Sequence, residues 1–189
     1  MELQQLRDSV KPLMNASRYR HSLGVEEVAY DLALIHGSDT EKASIAGILH
    51  DCAKPLSDDE LRKECVRLKL PVTEIEEQRA LLLHAKVGAV YARDRFGIQD
   101  QDILNAIKYH TTGRPNMSLL EKIIFIADYI EPYRKPLPGI DRIRWTAYED
   151  LDQAVTLIAK STLDYLENTG VVIDSLTKDT YEYYKNNLV

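Results

Sequence analysis

The chain has 189 residues, of which 44% are hydrophobic and 29% are charged, as in an ordinary globular protein with one substantial core. Its formal net charge of −6 argues against broad binding to nucleic acid or to an anionic membrane, although a small anionic ligand can still occupy a positive pocket. No apolar run approaches the roughly 20 residues of a membrane span, and the N-terminus does not resemble a secretory signal. Cys52 and Cys65 form no CxxC pattern, so we expect a reducing, cytoplasmic setting.

The first half of the chain is predicted to be helical. Apolar residues at helical spacing predict helices over about residues 2–15, 18–36 and 79–96, the last with Leu81, His84 and Gly88 close to one face. Two further helices lie between them, one ending on His50-Asp51 and one ending before Pro71. The N-caps predicted for this half are Ser17, Asp39 and Ser57, and Gly37 is predicted to end the second helix.

The second half continues the helical pattern. Asp100 is predicted to cap a helix with His110 on its inward stripe, and Ser118 to cap a helix over Leu119–Glu131. The latter is apolar nearly all round and should be buried, yet it carries Asp128. A long helix opened by Thr146 to Glu149 is predicted to end near Gly170, and a final helix to begin at about 175. We therefore predict an all-α, single-domain helical bundle.

Four of the five histidines are predicted to lie on inward faces or at helix ends, near two acidic residues. They are His21, His50, His84 and His110, with Asp51 and Asp128. A buried carboxylate is costly unless it is paired or binds a metal, and one divalent cation could neutralise both aspartates. Histidine and carboxylate ligands suit iron, manganese or zinc.

Less specific readings remain open at this point. A single histidine on an apolar face is usually a hydrogen-bonded core residue, and Asp128 could pair with Arg18 or Arg142. His36 reads as a helix-end residue beside Gly37.

The order His21, His50-Asp51, Asp128 resembles the signature of the HD-domain superfamily of metal-dependent phosphohydrolases. The flanking segments RYRHSLGV, AGILHDCAKP, LLLHAKVGA, AIKYHTTGRPNMS and KIIFIADYIEPYRKPLPGIDRIR resemble the bacterial YqeK family over about residues 15–170. The resemblance implies a single HD-type helical domain over residues 1–189, with C-terminal helices packed on the core. It also implies a symmetrical bis(5′-nucleosyl)-tetraphosphatase, which cleaves diadenosine tetraphosphate into two ADP by attack of a metal-bound water.

The resemblance also implies roles for individual residues. The metal ligands would be His21, His50, Asp51 and Asp128, with iron as the expected metal, manganese and zinc as alternatives, and one ion expected with a second left open. The catalytic residues would be Asp51, Lys54, His84 and His110. The substrate-binding residues would be Arg18, Lys54, His84, His110, Thr111, Gly113 and Arg134. His84 and His110 would face the phosphates or help to hold the second ion.

Two other functions remain open from the sequence. One is another HD phosphohydrolase, a nucleotidase or a hydrolase of alarmones or cyclic nucleotides, since the metal ligands alone do not set the substrate. The other is a non-catalytic nucleotide-binding module, which would be expected to lose ligands that this chain retains. The expected partner is a nucleotide, with an ADP- or GDP-type product, rather than nucleic acid or a membrane, and a homodimer is left open.

Overall fold

Helices make up the regular secondary structure in a computed structural model of the chain, which describes residues 2–135 and 137–188. In chain order they are Leu3–Val10 (α1), Ala16–His36 (α2), Thr40–Leu49 (α3), Asp58–Arg67 (α4), Glu74–Gln78 (α5), Leu83–Phe96 (α6), Gln101–Tyr109 (α7), Leu119–Ile130 (α8), Ile140–Glu149 (α9), Leu151–Thr169 (α10) and Ser175–Asn187 (α11). The all-α prediction is confirmed. Met1, Pro136 and Val189, which the predicted 1–189 domain includes, lie outside the described residues.

Polar side chains at predicted N-caps set where four of the described helices begin, namely α3, α4, α7 and α8. The caps confirmed by a side-chain bond to a backbone N–H are Asp39 of α3, Ser57 of α4, Asp100 of α7 and Ser118 of α8. Ser57 and Ser118 each form a reciprocal capping box with the glutamate three residues on, so two otherwise unpaired N–H groups are satisfied at each start. Gly37 ends α2 with φ of 72°, a left-handed conformation that glycine adopts without a steric penalty.

Three predicted details are wrong. Asn15 rather than Ser17 caps α2, since its side chain accepts the Arg18 N–H at 2.8 Å and the helix begins at Ala16. The segment Thr146 to Glu149 ends α9 instead of opening the next helix, because Asp150 adopts an extended conformation and caps α10 by accepting the Gln153 N–H. Leu81 lies in a 3₁₀ turn before α6 and is 46% exposed, so it does not share the buried face of His84.

Helix α8 lies at the centre of the fold. Its Ile123, Ile124, Ile126 and Ala127 are fully buried, and α2, α3, α7, α9 and α10 all pack against it. α11 packs on α10, so the C-terminal helices cover one side of this core. Within the described residues, no helix is both long enough and apolar enough to span a membrane.

Close approach of α2 and α3 depends on Gly47. A Cβ at this position would lie 2.8 Å from the Glu26 Cα, so Gly47→Ala is expected to push the two backbones apart and to destabilise the protein by about 1–3 kcal/mol. Gly88 on α6 is a matched control, because its Cβ would meet its nearest neighbours at 3.6 Å. Gly88→Ala should instead stabilise the helix by about 0.5–1 kcal/mol. Urea unfolding of both variants measures the difference, and equal free energies of unfolding would contradict this account of the α2–α3 contact.

Candidate metal centre and phosphate site

Six side chains from five helical segments converge beside α8. They are His21 on α2, His50 and Asp51 directly after α3, His84 on α6, His110 directly after α7, and Asp128 on α8. Two groups of three donor atoms, each lying within 4.8 Å of one another, are formed by His21, His50 and Asp51 and by Asp51, His84 and His110. Asp51 belongs to both groups. Asp128 completes the first, with its Oδ1 3.1 Å from His21 Nε2 and 3.9 Å from His50 Nε2.

The four histidines of this cluster share one orientation. Each ring has its Nδ1 against an oxygen that can only accept a hydrogen bond. The pairs are His21 Nδ1 with Glu131 Oε1 at 3.0 Å, His50 Nδ1 with the Gly47 carbonyl at 2.7 Å, His84 Nδ1 with the Leu81 carbonyl, and His110 Nδ1 with the Ile107 carbonyl at 2.7 Å. A neutral ring therefore carries its proton on Nδ1, and its Nε2 lone pair faces the cluster.

These Nε2 atoms lie close together in pairs. His21 Nε2 is 3.2 Å from His50 Nε2, and His84 Nε2 is 3.2 Å from His110 Nε2. Two lone pairs at that distance repel one another unless a proton or a cation lies near both. The arrangement fits a cation beside each pair, since the two pairs belong to different donor groups.

Asp51 gives a second sign that the cluster fits a cation. Its side chain is 4% exposed, and its Oδ2 accepts a bond from Arg18 Nη1 at 2.7 Å. Among the described residues, none donates a hydrogen bond to its buried Oδ1, although His84 Nε2 lies 3.2 Å away. A buried acceptor without a donor is costly, and a metal ion would satisfy it.

The charge states favour metal binding. Burial alone would raise the pKa of both aspartates, but the surrounding histidines hold the pKa of Asp51 and of Asp128 well below the usual range, so both are ionised at neutral pH. Burial lowers the pKa of His84 to about 4, which leaves this ring neutral. Burial also opposes protonation of His21, but Asp128, Glu131 and Asp51 outweigh it and raise its pKa, so a metal and a proton compete for this ring.

Three cationic side chains border the cluster. Arg18 contacts Asp51, Arg134 Nη2 lies 3.3 Å from Asp128 Oδ1, and Lys54 Nζ lies 3.3 Å from His84 Nε2. The partner of Asp128 is therefore Arg134 rather than Arg18 or Arg142, the two arginines that the sequence left open. Burial lowers the pKa of Lys54, although Asp51 and Asp128 act in the opposite direction.

A cavity of about 780 Å³ opens onto the cluster. Its lining includes charged and polar side chains of the cluster region, namely Arg18, Asp51, Lys54, His110, Thr111, Asp128 and Arg134, and also Tyr129 with Ser161, Thr162, Tyr165 and Asn168 of α10. Its size is in the range of small-molecule sites, roughly 300–1,000 Å³. Members of the histidine–aspartate cluster and cationic side chains thus line a cavity that is large enough for a nucleotide.

Thr111 and Gly113, both predicted to bind substrate, differ in their relation to this cavity. Thr111 lines it, with its hydroxyl 3.1 Å from His110 Nε2. Gly113 is buried with φ of 64°, and a Cβ there would lie 2.7 Å from the Thr180 side chain. Its proximity to α11 accounts for the glycine, and its role in the pocket stays a prediction. His36 lies outside the two donor groups, and its Nε2 donates to the Ala147 carbonyl at 2.8 Å.

Sequence reasoning missed Glu131, the residue that accepts from His21. Glu131 was assigned only as the end of a helix before Pro132, although its side chain is 1% exposed. The available signal was an acidic residue three positions after Asp128, one helical turn further along the same helix.

The helical core and the histidine–aspartate cluster define a class of protein. A sequence model of the HD domain matches residues 18–133, the part of the chain that holds all six clustered side chains. The chain therefore belongs to the HD-domain family, whose fold is that of metal-dependent phosphohydrolases. A cluster of histidine and aspartate side chains that fits a divalent metal is a feature of that class.

Similar proteins confirm the predicted YqeK-type relationship within this family. The symmetrical bis(5′-nucleosyl)-tetraphosphatase of Halalkalibacterium halodurans is 47% identical over 169 residues, which are 88% of this chain and 89% of that protein. The protein of the same name from Bacillus subtilis is 43% identical over 92% of both chains. The crystal structure of a predicted HD superfamily hydrolase involved in NAD metabolism, from Clostridium acetobutylicum, is 40% identical, with a TM-score of 0.95 over 100% of this chain and 99% of that one.

Proposed function

We propose that this protein is a metal-dependent symmetrical bis(5′-nucleosyl)-tetraphosphatase, which hydrolyses diadenosine tetraphosphate and related dinucleoside tetraphosphates to two nucleoside diphosphates. The observation that carries the proposal is the convergence of four Nε2 atoms and two ionised aspartates beside a cavity that is also lined by Arg18, Lys54 and Arg134. The names of the relatives that cover most of the chain support the choice of substrate.

The metal in this proposal is held by His21, His50, Asp51 and Asp128. Iron is our choice, with manganese and zinc as alternatives, because histidine and carboxylate ligands suit all three. The group formed by Asp51, His84 and His110 supports a second ion, with Asp51 common to both groups. When bound, a divalent metal polarises phosphoryl oxygens and lowers the pKa of a water molecule toward about 7.

The chain's own residues bind and orient the polyphosphate. The guanidinium groups of Arg18 and Arg134 fit phosphate with two parallel bonds, and the Lys54 ammonium adds a compact positive charge. In the structure these arginines contact Asp51 and Asp128, so positive charge lies directly beside the metal ligands. Substrate phosphates would thus be held next to the metal rather than elsewhere in the cavity, with the Thr111 hydroxyl as a further donor.

Cleavage at the central linkage makes modest demands on acid catalysis. The leaving group is a nucleoside diphosphate, whose terminal phosphate departs readily once its charge is neutralised. Charge neutralisation by the three cationic side chains is therefore more important than a strong general acid. Lys54 is the proposed donor of a hydrogen bond or a proton to the departing oxygen. The same role was predicted for His84 and His110, but their Nδ1–H groups are bonded to backbone carbonyls and their Nε2 atoms carry lone pairs, so these two rings fit the second ion instead.

Product analysis tests the function directly. The protein is loaded anaerobically with ferrous iron and incubated with diadenosine tetraphosphate, and the nucleotides are separated by chromatography. We expect ADP as the sole nucleotide product. Equal amounts of ATP and AMP would mean asymmetric cleavage, and tight nucleotide binding without turnover would identify a binding module instead.

Three further predictions, on the domain, the cellular location and the oligomeric state, belong to this proposal. We propose one HD domain with α10 and α11 packed on its core, in agreement with the packing of α10 on α8 and of α11 on α10. We also propose a cytoplasmic location, which suits the two free, buried cysteines, Cys52 and Cys65. A homodimer stays a prediction, and the exposed side chains of Leu34 on α2 and Trp145 on α9 are apolar surface that supports it.

A further inference from the structure

The Glu131 carboxylate contacts the side of the His21 ring that faces away from the cluster. Its Oε1 accepts the His21 Nδ1–H at 3.0 Å, on the side of the ring opposite to the Nε2 that faces Asp128. Its Oε2 accepts the Tyr133 backbone N–H at 2.6 Å. Glu131 follows the last residue of α8, so one carboxylate joins the end of α8 to the middle of a ring on α2.

The surroundings of this carboxylate differ from those of the other buried glutamates. Glu26 pairs with Arg7, Glu76 with Lys86 and Glu121 with Arg114. Among the described residues, the ion pairs of Glu131 include His21 and no lysine or arginine. A buried carboxylate without a permanent cation is costly, and it is best compensated when the histidine it contacts is itself bound to a positive ion.

The absence of a side chain at Gly24 leaves room for the contact between Glu131 and His21. A Cβ on Gly24, which is three residues after His21, would lie 2.6 Å from Glu131 Oε2 and 2.9 Å from a Tyr133 ring carbon. Any larger residue at this position would displace the carboxylate from beneath His21. Gly24 therefore accommodates Glu131 and the turn after α8.

We propose that Glu131 is a positioning residue for the metal centre, acting through His21. By accepting the Nδ1 proton it fixes the tautomer and the ring orientation, directs Nε2 toward Asp128 and His50, and makes that nitrogen a better metal donor. Its second oxygen holds the turn that leads to Arg134, one of the proposed phosphate contacts. The inference rests on the proposed function for its importance to catalysis, whereas its effect on metal binding is independent of substrate.

The test compares Glu131→Gln with wild type in metal affinity, measured by anaerobic competition between the protein and a ferrous iron chelator. The His21 Nδ1–H and the Tyr133 backbone N–H each bond to one carboxylate oxygen of Glu131. A glutamine side chain has only one acceptor oxygen and no charge, so it can replace only one of these bonds. Partners of metal-bound histidines commonly contribute about 10–100-fold to affinity, so we expect a loss of that size. Glu121→Gln is the matched control, because Glu121 is a buried glutamate on the same helix that pairs with Arg114 away from the cluster. It should lose stability without losing metal affinity.

A double-mutant cycle with His21→Ala separates positioning from general damage. If Glu131 acts through His21, Glu131→Gln should weaken metal binding in the wild-type background and have little further effect once His21 is absent. Unchanged affinity in Glu131→Gln, or an equal loss in both backgrounds, would overturn the inference. These affinity measurements contain no substrate, so they are independent of the hydrolase assay. A negative hydrolase assay would not weaken a measured role of Glu131 in metal binding, and a positive one would not replace it.

Discussion

Replacing Asp51 with asparagine is expected to lower kcat/KM for diadenosine tetraphosphate about a thousandfold or more and to abolish stable metal binding. Asp51 is the residue common to both donor groups, with Arg18 on one oxygen and His84 and His110 beside the other. A metal contributes several kcal/mol of charge stabilisation in the transition state, and each 1.4 kcal/mol is worth about tenfold in rate. Asparagine has nearly the same shape, so the loss should come from the missing charge rather than from unfolding.

Metal content and steady-state kinetics of the purified variant measure this effect together. Asp141→Asn is a suitable control, because Asp141 is an aspartate whose side chain is 94% exposed on α9 and lies outside the described cavity lining. It should keep wild-type metal content and turnover. An Asp51→Asn protein that retains both would show that the metal and the chemistry lie elsewhere.

Metal binding is expected to raise the melting temperature substantially, because the ligands come from separate helices. In the proposed site, one ion bound by His21, His50, Asp51 and Asp128 would join α2, α3 and α8. A ligand present at 100 times its Kd stabilises the folded state by about 2.7 kcal/mol, if it does not bind the unfolded chain. For a protein of this size that corresponds to roughly 5–11 °C.

Anaerobic thermal unfolding with and without ferrous iron measures this shift. His36→Gln removes the one histidine outside the cluster and should leave the metal-dependent shift unchanged. Asp51→Asn should abolish the shift while leaving the metal-free melting temperature near that of wild type. The same shift in Asp51→Asn would mean that the stabilising metal binds outside this cluster.

Helix starts were predictable where a cap residue directly precedes a clear helical pattern. Asp39, Ser57, Asp100 and Ser118 each do so, and all four were confirmed; Ser57 and Ser118 are also followed three residues later by a glutamate, which is the capping-box pattern. The local pattern was not enough at α2, where Asn15 rather than Ser17 is the cap. α9 was missed because its N-cap is Gly139, which makes no side-chain bond, and its separation from α10 depends on the extended conformation of Asp150.

The candidate site was likewise predictable from the sequence only in part. Inward helical faces and the order of His21, His50-Asp51 and Asp128 were enough to predict that these side chains meet. The pairing of Arg134 with Asp128, and of Arg18 with Asp51, depends on how the turn after α8 folds back, and sequence spacing does not determine that. Glu131 was missed for the same reason, since its role follows from a contact with a helix 110 residues earlier in the chain.

The central claim is that one metal ion is held by Nε2 atoms and carboxylates from three helical segments, and anomalous diffraction from iron-loaded crystals tests it most directly. We expect a peak at the iron edge within ligand distance of Nε2 of His21 and of His50 and of carboxylate oxygens of Asp51 and Asp128. A peak among Asp51, His84 and His110 in addition would establish the second ion. A peak outside both donor groups, or ligation through Nδ1 atoms, would contradict the account.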